Sequence, residues 1–107
     1  MRLRRPQEFR RVWKGGRSWA HPLFILWVFP NTLPYSRIGL TASRKVGNAV
    51  ARNRARRVLR EAARRLYVHM TPGWDIVLVA RRAILKEKEP RVEAAMEDLL
   101  QKAGLWK

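Results

Sequence analysis

The sequence predicts an α+β domain, an α/β sandwich in which helices pack against one small sheet. Helix-like and strand-like segments follow in the order helix, strands, helix, strand, helix, and no repeat, low-complexity tract or linker separates them. The chain has 107 residues, of which 47% are hydrophobic, and this is enough apolar material for one core but not for two. We therefore expect residues 1–107 to form a single domain.

The first part of the chain predicts a short helix followed by strands. PQEFRRVWKGG is typical of a helix, because Pro6 suits a first turn and Gly15 and Gly16 end it. LFILWVF at 23–29 predicts a strand that is apolar on both faces, and a short extended piece is expected before it at 18–20. After the turn NTLPYS, alternating apolar residues in RIGLTAS predict a strand at 37–43.

The second part predicts two helices with a strand between them. A long helix is expected from about Ala49 to Tyr67, and DIVLVA at 75–80 predicts a buried strand after the turn TPG. Pro90 opens a final amphipathic helix, which Gly104 ends. The strands at 37–43 and 75–80 flank the long helix and are expected to form a crossover, for which the general rule favours a right hand.

The charge of the chain points to a polyanionic partner. The formal net charge is +16, and counting along the sequence gives +7 for residues 1–43 and +8 for residues 44–65. An excess of this size opposes compaction and is usually tolerated because a polyanion neutralises it. Nucleic acid is the first candidate and an anionic membrane surface is the second.

Several classes of protein are excluded by composition. The chain has no Cys, which removes disulfide frameworks, Cys-ligated zinc and thiol nucleophiles. Its longest apolar run has 7 residues, far fewer than the roughly 18 to 20 that a membrane helix needs. The leader MRLRR precedes Pro6 and a charged helix-like segment, not a signal-peptide core. We therefore expect a cytoplasmic protein with no membrane partner.

The most charged segment is SRKVGNAVARNRARRVLREAARRL, residues 43–66, with nine Lys and Arg against the single acid Glu61. At 100° per residue, one side of its helix is apolar and forms the expected core face. That face comprises Ala51, Ala55, Val58, Leu59, Ala62 and Leu66. The opposite side carries Asn53, Arg56, Arg57, Arg60 and Arg64, and Arg52, Arg54 and Arg65 lie at the edges.

The row opposite the core face favours phosphate binding over the ordinary alternative of a solvated face. Like charges four residues apart destabilise a helix, and one acid cannot neutralise the row. The arginine fork matches phosphate with two hydrogen bonds. The preceding loop SRKVGN, with Arg44, Lys45, Gly47 and a predicted Asn48 cap, is expected to offer free backbone N–H groups as a phosphate seat.

KVGNAVARNRARRVLREAAR closely resembles the signature of the protein subunit of bacterial ribonuclease P, the ribonucleoprotein that removes the 5′ leader from precursor tRNA. The match includes the Arg52, Asn53, Arg54 core, the later Arg56, Arg57 and Arg60, and the preceding Ser43, Arg44 and Lys45. LRRPQEFRRVWKGG, RIGLTASRKVGN and GWDIVLVAR resemble the family's first helix, its third strand with the following loop, and its fourth strand. The resemblance covers nearly the whole chain.

The resemblance implies the order helix, three strands, helix, strand, helix, and a left-handed crossover in place of the default hand. It implies that the RNA subunit holds the catalytic Mg²⁺ and performs the hydrolysis, with no metal bound by the protein alone. One protein is expected per RNA subunit, with precursor tRNA as the other partner and no DNA. The implied RNA-binding residues are Arg44, Lys45, Arg52, Asn53, Arg54, Arg56, Arg57, Arg60 and Arg64.

A second site is expected where single-stranded leader bases stack on aromatic rings. Phe9 and Trp13 share a helix face, and Ile25 and Trp27 share a strand face. From the residues alone, core packing is the favoured explanation. The resemblance favours the cleft, because the family's leader-binding aromatics match Phe9, Trp13 and Trp27. Arg81 and Arg82, at the end of the last strand, fit either RNA contact or solvent.

No catalytic constellation is expected in the protein. The eight acids are scattered, and His21 and His69 are isolated from other acid or base groups. This agrees with what the resemblance implies, a non-catalytic subunit of a ribonucleoprotein hydrolase. Two alternatives remain open at this point: a ribosomal or RNA-chaperone protein, and a standalone metal-dependent nuclease.

Overall fold

The computed structural model describes residues 2–107 and contains the predicted series of helices and strands. Only Met1 lies outside the described residues. The elements are α1 (Pro6–Gly15), β1 (Arg17–Ala20), β2 (Phe24–Pro30), β3 (Arg37–Thr41), α2 (Ala49–Leu66), β4 (Trp74–Ala80) and α3 (Glu89–Lys102). Short 3₁₀ helices at Tyr67–His69 and Arg82–Lys86, which the sequence did not predict, follow α2 and β4. The fold class and the element order are confirmed.

The four strands form one mixed sheet in the order β1-β2-β4-β3. β2 pairs antiparallel with β1 and β4, whereas β3 and β4 run parallel. Parallel neighbours need a crossover connection, and α2 supplies it. The left hand of this crossover stays a prediction. The strand predicted at 37–43 ends at Thr41, because the chain then turns and the Val46 N–H donates to the Ser43 carbonyl at 3.0 Å.

One face of the sheet packs against α2 and α3 and forms the main core. Phe24, Leu26, Ile76 and Leu78 are fully buried on this face. From α2 the buried residues are Ala55, Leu59, Ala62, Ala63 and Leu66. The predicted stripe was wrong in detail, since Ala51 and Val58 are only half-buried and Ala63 was missed. Ala63 belongs to the main core, against which Ile38 and Leu40 of β3 pack, and no periodicity within α2 reveals that arrangement.

The other face of the sheet is only partly covered, by α1. Val12 of α1 is fully buried with Val77 of β4, and Phe9 and Trp27 are half-buried beside them. This second face is therefore open enough to bind a partner. No helix within residues 2–107 has the length and apolar character to cross a membrane.

An ionic network holds α1 against the sheet. The Arg37 guanidinium makes two hydrogen bonds of 2.8 Å to Asp75, which is 2% exposed, and one of 2.6 Å to Glu8 of α1. Glu8 Oε1 also accepts the backbone N–H groups of Arg4 and Arg5, each at 2.9 Å. These backbone bonds, and then the charge of Arg37, lower the pKa of Glu8. The network fixes the position of α1 and of its aromatic side chains.

Candidate nucleic-acid interface

The loop before α2 is tightly organised. Asn48 caps the helix as predicted, because its Oδ1 accepts the Ala51 N–H at 2.9 Å. Gly47 has φ +149°, and a Cβ there would lie 2.9 Å from the Ala51 Cβ, so glycine is required on both counts. The prediction that this loop offers free backbone N–H groups to a phosphate was partly wrong. The N–H groups of Lys45, Val46 and Gly47 donate within the loop, because the chain closes tight turns there.

The predicted RNA-binding residues all lie on this loop and on α2. Seven are exposed, namely Arg44, Lys45, Asn53, Arg54, Arg57, Arg60 and Arg64, while Arg52 and Arg56 are half-buried. The two half-buried arginines are held by polar contacts: Asn53 Oδ1 accepts a hydrogen bond from Arg56, and Arg52 donates to the Gly47 carbonyl at 3.1 Å. The side of α2 that bears these residues faces away from the core.

The cations of this segment are mostly without acidic partners. Glu61 binds Arg64 at 2.5 Å and Arg65 at 3.4 Å, and the Arg64 hydrogen bond lowers the pKa of Glu61. Arg65 also lies 3.9 Å from Glu89 of α3. Within the described chain, no carboxylate lies within 4.0 Å of the other seven cations of residues 44–65. This surface therefore carries an uncompensated positive charge.

The structure also brings the predicted aromatic residues together. The Trp13 and Trp27 rings meet edge to face with centroids 5.3 Å apart, and the Phe9 ring lies 6.4 Å from Trp13. Trp13 is 39% exposed, and Ile25 lies on the same face of β2 as Trp27. A Cβ on Gly39 would lie 2.7 Å from the Phe9 ring, so glycine lets that ring rest on β3. We call these rings and Ile25 the aromatic surface.

The two surfaces lie on opposite faces of the same sheet. On β2, Leu26 points to the core beneath α2, whereas Ile25 and Trp27 point to the aromatic surface. Arg81 and Arg82 are exposed at the carboxyl end of β4, and the parallel pairing places the carboxyl end of β3 beside it. The cationic loop that follows β3 is thus at the same end of the sheet.

Comparison with known proteins identifies the family. The model of the family described as Ribonuclease P matches residues 1–104. The chain belongs to the ribonuclease P protein family. The ribonuclease P protein component of Herpetosiphon aurantiacus is 42% identical over 105 residues, which cover 98% of this chain and 85% of the relative.

Solved structures of ribonuclease P proteins share this fold. The protein from Staphylococcus aureus superposes with a TM-score of 0.87 at 28% identity, over 99% of this chain and 97% of that one. The protein from Thermotoga maritima gives a TM-score of 0.85 at 30% identity, over 95% and 96% of the two chains. The resemblance seen in the sequence is confirmed, and this ribonuclease P protein is a component of a ribonuclease of tRNA processing.

The acidic groups of this ribonuclease P protein are dispersed and largely engaged in ion pairs. Five of them form such pairs at 3.2 Å or less: Glu8 and Asp75 with Arg37, Glu61 with Arg64, Glu87 with Arg91, and Asp98 with Lys102. Among residues 2–107, no three His, Asp or Glu side chains are grouped so that they could hold a metal ion.

Proposed function

We propose that this protein binds the catalytic RNA subunit of ribonuclease P through α2 and the loop before it. We further propose that it binds the 5′ leader of precursor tRNA through the aromatic surface and so supports endonucleolytic removal of the leader. The observation that carries the proposal is the pair of opposite surfaces, one cationic and one aromatic, on a fold of this family. One chain can thereby contact two RNAs at once.

The cationic surface suits the larger, folded RNA. Its exposed arginines are spread along a helix of 18 residues, which spans about 27 Å and can follow several phosphates. Contacts of this kind position a protein on RNA without reading its sequence. Docking through them makes affinity steeply dependent on salt, because each neutralised phosphate releases counterions.

The aromatic surface suits single-stranded RNA. Trp13 exposes part of its ring beside Trp27, and an unpaired base that stacks on such a ring contributes about 1–3 kcal/mol. Mature tRNA has no leader to place there, so the contact favours the precursor. This selectivity requires no base-specific hydrogen bond.

The proposal assigns the hydrolysis and its Mg²⁺ to the RNA subunit. A protein nuclease needs clustered carboxylates to hold metal ions, and the carboxylates of this chain are dispersed and for the most part paired with cations. This chain neutralises phosphate repulsion and positions the leader. We propose that it acts in the cytoplasm, with one protein per RNA subunit and without DNA or metal of its own.

Reconstitution tests this function directly. The chain is added to a bacterial ribonuclease P RNA, and cleavage of precursor tRNA is measured at low Mg²⁺ with a basic ribosomal protein as the control. We expect faster cleavage and tighter binding of precursor than of mature tRNA, from this chain only. Stimulation without preference for the leader would support the RNA-chaperone alternative. Cleavage by the purified chain with Mg²⁺ alone would support a standalone nuclease.

A further inference from the structure

A cavity of about 450 Å³ opens between α2, β3 and the start of the chain. Its apolar walls are formed by Leu3, Ile38, Leu40, Ala63 and Tyr67. The Leu3 N–H donates to the Ile38 carbonyl at 2.9 Å, so the start of the chain pairs with the edge of β3 and closes one side. The volume lies within the roughly 300–1,000 Å³ of sites that bind small molecules.

Arginines line the mouth of this cavity. They are Arg2, Arg56, Arg60 and Arg64, and within the described chain no carboxylate belongs to the lining. Glu61 engages Arg64 from outside, whereas the other three lie more than 4.0 Å from every carboxylate among residues 2–107. Asn53 fixes the Arg56 guanidinium by a hydrogen bond. The cavity therefore joins an apolar interior to a strongly positive rim.

This combination fits a ligand that is flat and weakly polar at one end and anionic at the other. A phosphate alone makes no favourable contact with the apolar walls, and a purely apolar ligand makes none with the arginines. A nucleotide has both parts, since its base leaves water and its phosphate meets the guanidinium groups. Proteins read RNA in this way where unpaired bases splay out and stack on tyrosine rings or arginine planes. Tyr67 and Arg56 both line this cavity, and the Tyr67 hydroxyl donates to the Ser36 carbonyl at 2.5 Å.

We infer that this cavity receives one extruded, unpaired base of the ribonuclease P RNA. The base enters between Leu40 and Tyr67, and its flanking phosphates lie on Arg56 and Arg60. The inference rests on the proposed function, because it requires α2 to dock on that RNA. It adds selectivity for a bulge or loop to a surface whose arginines otherwise sense only phosphate charge. The site opens on the opposite face of β3 from the aromatic surface, since Ile38 and Leu40 alternate with Gly39, and Leu3 at the edge of β3 borders both.

Filling the cavity while keeping every arginine tests the inference. Ala63→Leu fills it from α2 and Leu40→Phe fills it from β3, and Ala94→Leu on the exposed side of α3 is the matched control. Affinity is measured at one salt concentration for ribonuclease P RNA and for a fully paired RNA duplex. We expect the filled variants to lose affinity for ribonuclease P RNA on the order of 10-fold, with no loss on the duplex.

Each outcome bears on the inference. Folded filled variants that bind ribonuclease P RNA as tightly as Ala94→Leu overturn it, and so does an equal loss on both RNAs, because that indicates disturbed docking of the whole helix. If the unaltered protein does not prefer ribonuclease P RNA to the duplex, that result refutes the proposed function itself, and the inference falls with it. That failure is visible without any variant.

Chemical probing of the RNA gives a second measurement that needs no substitution. With the unaltered protein bound, we expect one unpaired base to become protected at its Watson–Crick edge. With either filled variant, or with no protein, that base stays reactive. If no unpaired base outside the leader is protected by the unaltered protein, the inference is overturned even where a filled variant does not fold.

Discussion

Removal of three neighbouring arginines from α2 gives the sharpest test of the cationic surface. In the variant Arg56→Ala, Arg57→Ala, Arg60→Ala, each lost guanidinium lies more than 4.0 Å from every carboxylate within the described chain. None of the three is held in an ion pair within residues 2–107, so each can bind one phosphate, and the triple variant loses up to three phosphate contacts. The dependence of log affinity on log salt becomes flatter by about 2.1 for single-stranded RNA and about 2.7 for duplex.

This change in slope is large enough to measure without ambiguity. Raising the salt from about 50 to about 200 mM weakens the variant by roughly 20 to 40-fold less than the unaltered protein, following the same relation. The assay is the dissociation constant for ribonuclease P RNA at several salt concentrations. The substitutions remove like charges at helical spacing and introduce a strong helix former, so we expect α2 to remain folded.

A matched control separates the location of the charge from its amount. Lys86→Ala, Arg91→Ala, Lys102→Ala removes the same three positive charges from the neutral C-terminal part of the chain, and both variants fall from +16 to a formal +13. The exposed pairs of Arg91 with Glu87 and of Lys102 with Asp98 contribute little to stability. If both variants flatten the salt dependence equally, binding depends on net charge, and the assignment of α2 as the docking helix is refuted.

Two further predictions concern the aromatic surface and the pH dependence of stability. Trp13→Ala should weaken the binding of precursor tRNA to the holoenzyme on the order of 10-fold and leave mature tRNA unaffected, whereas the exposed Tyr35→Ala should affect neither. Equal losses for both tRNAs would contradict a leader site. Burial, and then a hydrogen bond with Glu93, raises the pKa of Glu89, so this group favours folding below its ordinary pKa of 4.5 and loses that contribution as the pH rises through the folded pKa. Glu89→Gln should therefore raise Tm at pH 7 but not at pH 4, and an unchanged Tm at both values would show that the burial of this carboxyl costs nothing.

Periodicity predicted the elements and the two sides of α2 because those features are local. Helical spacing separates Leu59 from Arg57 and Arg60 whatever the rest of the chain does. The burial of Ala63 was missed because it depends on core contacts with other segments of the chain, which the helical period of α2 does not show. A helical projection shows which side is apolar, but not how far a neighbouring segment extends that side.

The features that local periodicity did not predict depend on contacts between residues far apart in the sequence. Arg37 lies 29 residues from Glu8 and 38 from Asp75, and nothing in the local sequence marks the three as a network. The meeting of Trp13 with Trp27 was expected from the family resemblance, because periodicity alone favoured core packing for these rings. The order β1-β2-β4-β3 also lay beyond the sequence, since it depends on which strands pair across the chain.

The distribution of charge along α2 explains why the helix gains most from an RNA partner between Arg52 and Arg60. No acid lies in the first turn, and cations near a helix N-terminus oppose the macrodipole. Glu61 engages Arg64 and Arg65 in the second half, so the uncompensated charge is concentrated between Arg52 and Arg60. Phosphates bound there offset both the mutual repulsion and the unfavourable dipole, and they displace no existing ion pair. The core side of α2 holds the helix in place until that partner arrives.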